Sequence, residues 1–135
     1  MPLLSPNIRV YHYPTKTFFR GHYDSPQMDA RSKRLSCWTV LIYLSDGVKG
    51  GGTTFWLDDP ERDPGKGKKA KSLKGKAKPG AVEAGVAEPR KLTIDPKAGR
   101  LLLHWHGMAR GGCMLHEGEE VLAGDKWVLR TDVLA

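Results

Sequence analysis

The stretch Cys37-Trp38-Thr39-Val40-Leu41-Ile42-Tyr43-Leu44 limits the fold more than any other part of the chain. It is rich in β-branched and aromatic residues, nearly continuous in apolarity, and short for a buried helix. Such a run reads as a strand covered on both faces. Ser45-Asp46-Gly47 turns it, and Gly50-Gly51-Gly52 leads into a second run, Thr53 to Leu57. Three successive glycines are ordinarily a flexible turn, but they also let a backbone approach another chain or a ligand closely.

The rest of the chain follows the same rhythm. Segment 7–13 alternates Ile8, Val10 and His12 with Arg9, Tyr11 and Tyr13 until Pro14 stops it. Phe18 to Asp24 forms another extended run, followed by a polar loop over 25–35. Later strands are expected at Lys91 to Asp95, at Arg100 to His106 (read as largely buried), near Cys113 to His116, at Val121-Leu122 and from Lys126 to Leu134. About eight short strands separated by turn residues, with no convincing helical stripe, predict an all-β sandwich or jelly-roll barrel.

At 135 residues the chain is expected to be one domain, 1–135. Its net charge of +7 suggests an acidic or nucleic-acid partner, but seven lysines between Lys66 and Lys78 account for all of it. The composition changes over 58–90, where glycine, proline, alanine and lysine dominate; this reads as a flexible solvated insertion. Its functional alternative is an electrostatic arm contacting nucleic acid, which is not the favoured reading. Cys37 and Cys113 are too few for a disulfide framework or a paired-cysteine zinc site, and a reduced pair is expected. The absence of a leader pattern or a long apolar run makes a cytoplasmic protein with no membrane contact the default.

Chemistry concentrates in His22-Tyr23-Asp24 and in His116 far downstream. Side chains two apart in an extended chain point to one side, so His22 and Asp24 can address one metal. Two histidines and one carboxylate suit non-haem Fe(II), leaving open positions for chemistry. His104 and His106 also alternate along one strand, but no carboxylate accompanies them at ligand spacing. They are therefore read as structural or pocket-lining, His12 as structural, and the four tryptophans as packing.

The ordered set His22-x-Asp24, Trp38-x4-Tyr43-Leu44-Ser45-Asp46, Gly50-Gly51-Gly52-Thr53-x-Phe55, Pro96-x-x-Gly99-Arg100 and His116-x9-Lys126 resembles Fe(II)/2-oxoglutarate-dependent dioxygenases of the prolyl 4-hydroxylase type. The resemblance implies a double-stranded β-helix of eight strands, with iron on His22, Asp24 and His116. It implies that Lys126 holds the far carboxylate of 2-oxoglutarate, with Tyr13 and Tyr43 near the same pocket; Arg130, four residues beyond Lys126 and on the same strand face, is expected to supply or support that contact. It implies O2 as co-reactant, ascorbate as a candidate accessory, and no catalytic residue beyond the metal ligands. The implied activity is hydroxylation of a peptidyl residue in a protein or peptide substrate, proline being the first choice, with release of succinate and CO2. The alternatives are a silent β-barrel binding module using the lysine arm, and a cupin-like metal site that would not need Lys126.

Overall fold

The computed structural model describes residues 1–59, 62, 88–109 and 112–135. The lysine-rich stretch Lys66 to Lys78 and most of the insertion expected over 58–90 lie outside the described residues. All the regular elements among the described residues are β-strands, and all the strand pairs are antiparallel.

The strands are β1 (Leu3–Leu4), β2 (Arg9–Tyr13), β3 (Phe19–His22), β4 (Ser36–Tyr43), β5 (Lys49–Gly50), β6 (Thr53–Trp56), β7 (Lys91–Ile94), β8 (Leu101–Trp105), β9 (His116–Gly118), β10 (Val121–Ala123) and β11 (Lys126–Leu134). Among the described residues eleven strands rather than eight appear because pairs such as Leu3–Leu4 and Lys49–Gly50 are strands only through their partners. No side-chain pattern over two residues could announce them.

The large sheet runs β1-β11-β4-β8, and β2 pairs with β11 on the edge it shares with β1. The smaller sheet runs β3-β9-β6-β7, and β10 with β5 makes a separate ribbon. Together they form the all-β, jelly-roll-like architecture expected from the turn spacing.

Strand alternation sends one row of each strand between the sheets. Along β11 that row includes Lys126, Val128 and Arg130; register sets Tyr13 beside Lys126, Tyr11 and Tyr43 beside Val128, and Leu41 beside Arg130. On β4, Thr39 faces His104 of β8. In β2 the inward row is Arg9, Tyr11 and Tyr13, while the more apolar Val10 is 54% exposed.

β8 departs from expectation. Read as largely buried, it exposes Leu101 and Leu103, because it lies on the edge of the large sheet and buries mainly His104. The tryptophans are rim residues rather than core, with Trp127 exposed and stacked on His12 at 4.2 Å.

The glycine turn is required by close approach. Gly50 and Gly51 have φ of +66° and +67°, and a Cβ on Gly50 would sit 2.4 Å from the Glu120 carbonyl oxygen. A Cβ on Gly51 would press on Val121 and the Lys126 stem at 3.0 and 3.3 Å. The turn thus lets β6 and β10 close around the lysine.

Candidate active site

β3 and β9 are neighbours, and their register sets His22 directly opposite His116. The ring centroids are 4.3 Å apart. Each Nδ1 donates to a backbone carbonyl, His22 to Arg20 at 2.7 Å and His116 to Met114 at 2.9 Å. A carbonyl can only accept, so the proton sits on Nδ1 and each Nε2 keeps its lone pair. Fixing the tautomer from behind in this way is how proteins orient metal-binding imidazoles.

Asp24 lies two residues beyond the end of β3, so strand alternation alone does not aim it. Its backbone N–H donates to Cys113 Sγ at 3.3 Å. Its Oδ2 accepts from Thr39 Oγ1 at 2.8 Å and pairs with Arg130 Nη2 at 3.0 Å, both from the large sheet. His22 Nε2 is 3.6 Å from Oδ1, and His116 Nε2 is 3.8 Å from Oδ2. These three donor atoms form a compact group able to hold one cation. Burial raises the Asp24 pKa, but Arg130, Thr39, His116 and His104 outweigh it and hold the carboxyl below its usual range. Burial is also the main cause lowering His116. An ionised carboxylate beside two neutral imidazoles is the state a divalent metal requires.

Behind Asp24 runs a polar chain that sequence reading missed. Because Thr39 donates to Asp24, it accepts from His106 Nδ1 at 2.8 Å; His106 Nε2 then accepts from Ser36 Oγ at 2.8 Å. Ser36 in turn accepts from the Gln27 N–H at 2.9 Å. Thr39, His106 and Ser36 are all buried. Only the pairing of β4 with β8 and the fold of the 25–35 loop bring them into line.

A cavity of about 130 Å3 lies between the sheets, lined by the three candidate ligands and by Tyr11, Tyr13, Thr39, His104, Lys126 and Arg130 among others. It is smaller than the roughly 300–1,000 Å3 pockets that take drug-sized ligands, and so suits a small organic acid. At one end Lys126 is 5% exposed, with Nζ 5.1 Å from the Tyr13 ring centroid and 5.9 Å from that of Tyr43. Burial lowers its pKa to about 8, and Glu119 only partly opposes this. Arg130 is four residues along the same strand, about 13 Å away by strand geometry. Its contact with Asp24 puts it beside the three candidate ligands rather than beside Lys126.

The two tyrosines differ. Tyr13 lines the cavity, and burial raises its pKa, so its hydroxyl remains protonated and able to donate. Tyr43 is fully buried and its hydroxyl hydrogen-bonds Thr53 Oγ1 at 2.6 Å, so its ring serves as floor beneath Lys126. Cys37 and Cys113 are both free. His104 lines the cavity, as expected, and the large sheet carries its Nε2 to 3.6 Å from Asp24 Oδ2, the carboxylate its sequence neighbourhood lacks.

An antiparallel two-sheet barrel with two imidazoles and one carboxylate facing an internal cavity has the donor set that suits non-haem Fe(II). Residues 8–131 match the 2OG-Fe(II) oxygenase superfamily, and the chain belongs to that family. The family is one of oxygenases that use Fe(II) and 2-oxoglutarate.

Prolyl 4-hydroxylase 1 of Arabidopsis thaliana is 26% identical over 125 residues, which are 89% of this chain and 38% of that protein. The fold is similar to the crystal structure of a Pseudomonas putida prolyl-4-hydroxylase, with a TM-score of 0.54 at 16% identity, covering 93% of this chain and 49% of that one. It is also similar to the viral collagen prolyl hydroxylase of Paramecium Bursaria Chlorella virus-1 in its 2OG complex, with a TM-score of 0.55 at 18% identity. That match covers 100% of this chain and 61% of the viral one. The chain therefore spans between about two fifths and three fifths of the length of these relatives. Among the described residues there is no helix long and apolar enough to cross a membrane.

Proposed function

We propose that this chain is a 2-oxoglutarate-dependent Fe(II) dioxygenase that hydroxylates a peptidyl residue, proline being the leading candidate, with release of succinate and CO2. The observation that carries the reading is one cavity lined both by His22, Asp24 and His116 and by the buried Lys126. The prolyl hydroxylase relatives support a protein or peptide substrate.

In this reading His22, Asp24 and His116 hold the iron, and their locked tautomers and ionised carboxylate make them ready to do so. Iron and 2-oxoglutarate, when bound, would activate dioxygen, the oxidant, which takes two electrons from 2-oxoglutarate and two from the substrate C–H bond. Lys126 receives the distal carboxylate in a charge-assisted hydrogen bond strengthened by burial. The Tyr13 hydroxyl donates to the same ligand, while Tyr43 and Gly51 shape the space around the lysine. Arg130 and Thr39 hold Asp24 in place, and the apolar rings around the cavity restrict water.

Two measurements test this. Anaerobic protein given Fe(II) and 2-oxoglutarate is expected to show a visible metal-to-ligand charge-transfer band, and a peptide array is expected to yield hydroxylated products with equimolar succinate. Absence of both the band and co-substrate binding would overturn the reading. A pH dependence follows from Lys126. Above about pH 8 the empty site holds the lysine neutral, so binding the dianion must take up a proton. The dissociation constant for 2-oxoglutarate is expected to rise up to about tenfold per pH unit above that value, read by calorimetry, and to stay level below it.

A further inference from the structure

The polar chain behind Asp24 has a proton order that its two ends dictate. At one end stands the backbone N–H of Gln27, which can only donate, and Ser36 Oγ accepts from it at 2.9 Å. At the other stands the ionised Asp24 carboxylate, which can only accept, and Oδ2 takes the Thr39 hydroxyl proton at 2.8 Å. A hydroxyl has one proton, so Thr39 has none left for His106 Nδ1, 2.8 Å away, and the ring must donate there. His106 Nε2 is then bare and accepts from Ser36 Oγ at 2.8 Å. With the proton on Nε2 instead, the ring and the carboxylate would compete for the single Thr39 proton. Water offers no escape, because Ser36, Thr39 and His106 are each at most 2% exposed.

We propose that His106 and Ser36 are positioning residues for the metal-binding carboxylate. Ser36 fixes the His106 tautomer, His106 fixes Thr39 as a donor, and Thr39 fixes Asp24 Oδ2. Arg130 occupies the same oxygen at 3.0 Å, so Oδ1, 3.6 Å from His22 Nε2, is the oxygen kept for the metal. The inference rests on the metal site proposed at His22, Asp24 and His116. Thr39 lines the cavity, but His106 and Ser36 do not, so each acts only through its neighbour.

The test uses the whole chain with Ser36→Ala, His106→Leu and His106→Asn, and circular dichroism checks that each variant folds. Leucine removes both ring nitrogens, whereas the asparagine amide can still donate to Thr39. Nitrogen NMR of the labelled, Zn(II)-loaded wild type is expected to show His106 protonated on Nδ1, and Ser36→Ala is expected to populate the other tautomer. Fe(II) affinity, read anaerobically by chelator competition without 2-oxoglutarate, is expected to fall at least about tenfold in His106→Leu and to stay within about threefold in His106→Asn. The visible bands of the Co(II) protein report the donor geometry at the metal. They are expected to shift in His106→Leu and to return in His106→Asn.

A wild-type His106 protonated on Nε2 would overturn the proton order and the inference with it. Wild-type metal affinity and Co(II) bands in a less stable His106→Leu would also overturn it, leaving the triad intact and His106 a support of the fold alone. No metal binding by the wild type would overturn the metal site as well. If His106→Leu did not fold, Ser36→Ala would still decide: a changed tautomer with weaker Fe(II) binding supports the inference, and an unchanged tautomer and affinity refute it.

Discussion

Asp24→Ala is expected to abolish metal binding and to destabilise the fold in the same step. Asp24 is the one carboxylate in the group of three donor atoms, and without it two neutral imidazoles face the metal with no compensating charge. Affinity for Fe(II) or Co(II) is expected to fall by more than about a hundredfold, since even indirect partners of a metal site are worth about 10–100-fold. The stability loss comes from the other side of the same carboxylate. Oδ2 accepts from Thr39 and pairs with Arg130 at 3.0 Å, and Arg130 Nε is already buried without a partner. Removing the anion leaves a largely buried guanidinium with Asp132, 4.0 Å away, as its remaining ion pair, a loss of up to about 3 kcal/mol. Asp24→Asn separates the two effects: it keeps an acceptor for Thr39 and Arg130, so it is expected to recover part of the stability and little of the metal affinity. Calorimetric titration and denaturant unfolding read the two losses independently, and a variant of wild-type stability would show that Arg130 does not depend on Asp24.

Lys126→Met is expected to move function and stability in opposite directions. Its ammonium is the buried cation at the end of the cavity away from the candidate metal ligands, and losing a charge-assisted hydrogen bond of about 1.5–3 kcal/mol corresponds to roughly 10–100-fold in 2-oxoglutarate affinity. Metal affinity is expected to be unchanged, because Lys126 is remote from Asp24. Stability should rise. The folded protein holds this lysine at about 8 against an ordinary 10.5, chiefly through burial. The charged form is therefore disfavoured by folding, by on the order of 3 kcal/mol at neutral pH. The sign follows from proton counting. Between about pH 8 and 10.5 the unfolded chain binds the proton that the folded chain has lost, so stability rises with pH across that window. The methionine variant removes both the penalty and this rise. Equal stability of the two proteins at pH 7, with the same pH profile, would show that the ammonium is better solvated than its surroundings indicate.

A buried lysine kept at the expense of stability is what a binding site looks like from the standpoint of folding. The same holds for Arg9, Arg130, His104 and Asp132, each with a buried polar atom lacking a partner among the described residues. They cluster on the inward rows of β2, β8 and β11, where an ordinary sandwich would place leucine and valine.

Much of the strand plan was legible because local pattern controls it. Cys37 to Leu44 could be little other than a central strand, and β4 spans Ser36–Tyr43. The direction in which strands face was less legible. Val10 looks like core and is half exposed, while Tyr11 and Tyr13 line the cavity, because alternation shows that two faces exist without showing which is inward. Leu101 and Leu103 misled for the related reason that edge position is a property of the sheet, not of the strand.

The sequence by itself determined an all-β chain and the short list of groups able to hold a metal, since turn chemistry, alternation and the spacing of His22, Asp24, His116 and Lys126 are local or ordered along the chain. Tertiary structure alone decided what surrounds Asp24. Arg130, expected near the co-substrate, holds this carboxylate; Thr39 connects it to His106; and His104 stands as near to it as the assigned histidines. These partners lie on three strands distant in sequence, and only the registers β11 with β4 and β4 with β8 bring them to one point. Register is a cooperative outcome of the whole sheet, which no short stretch of residues encodes.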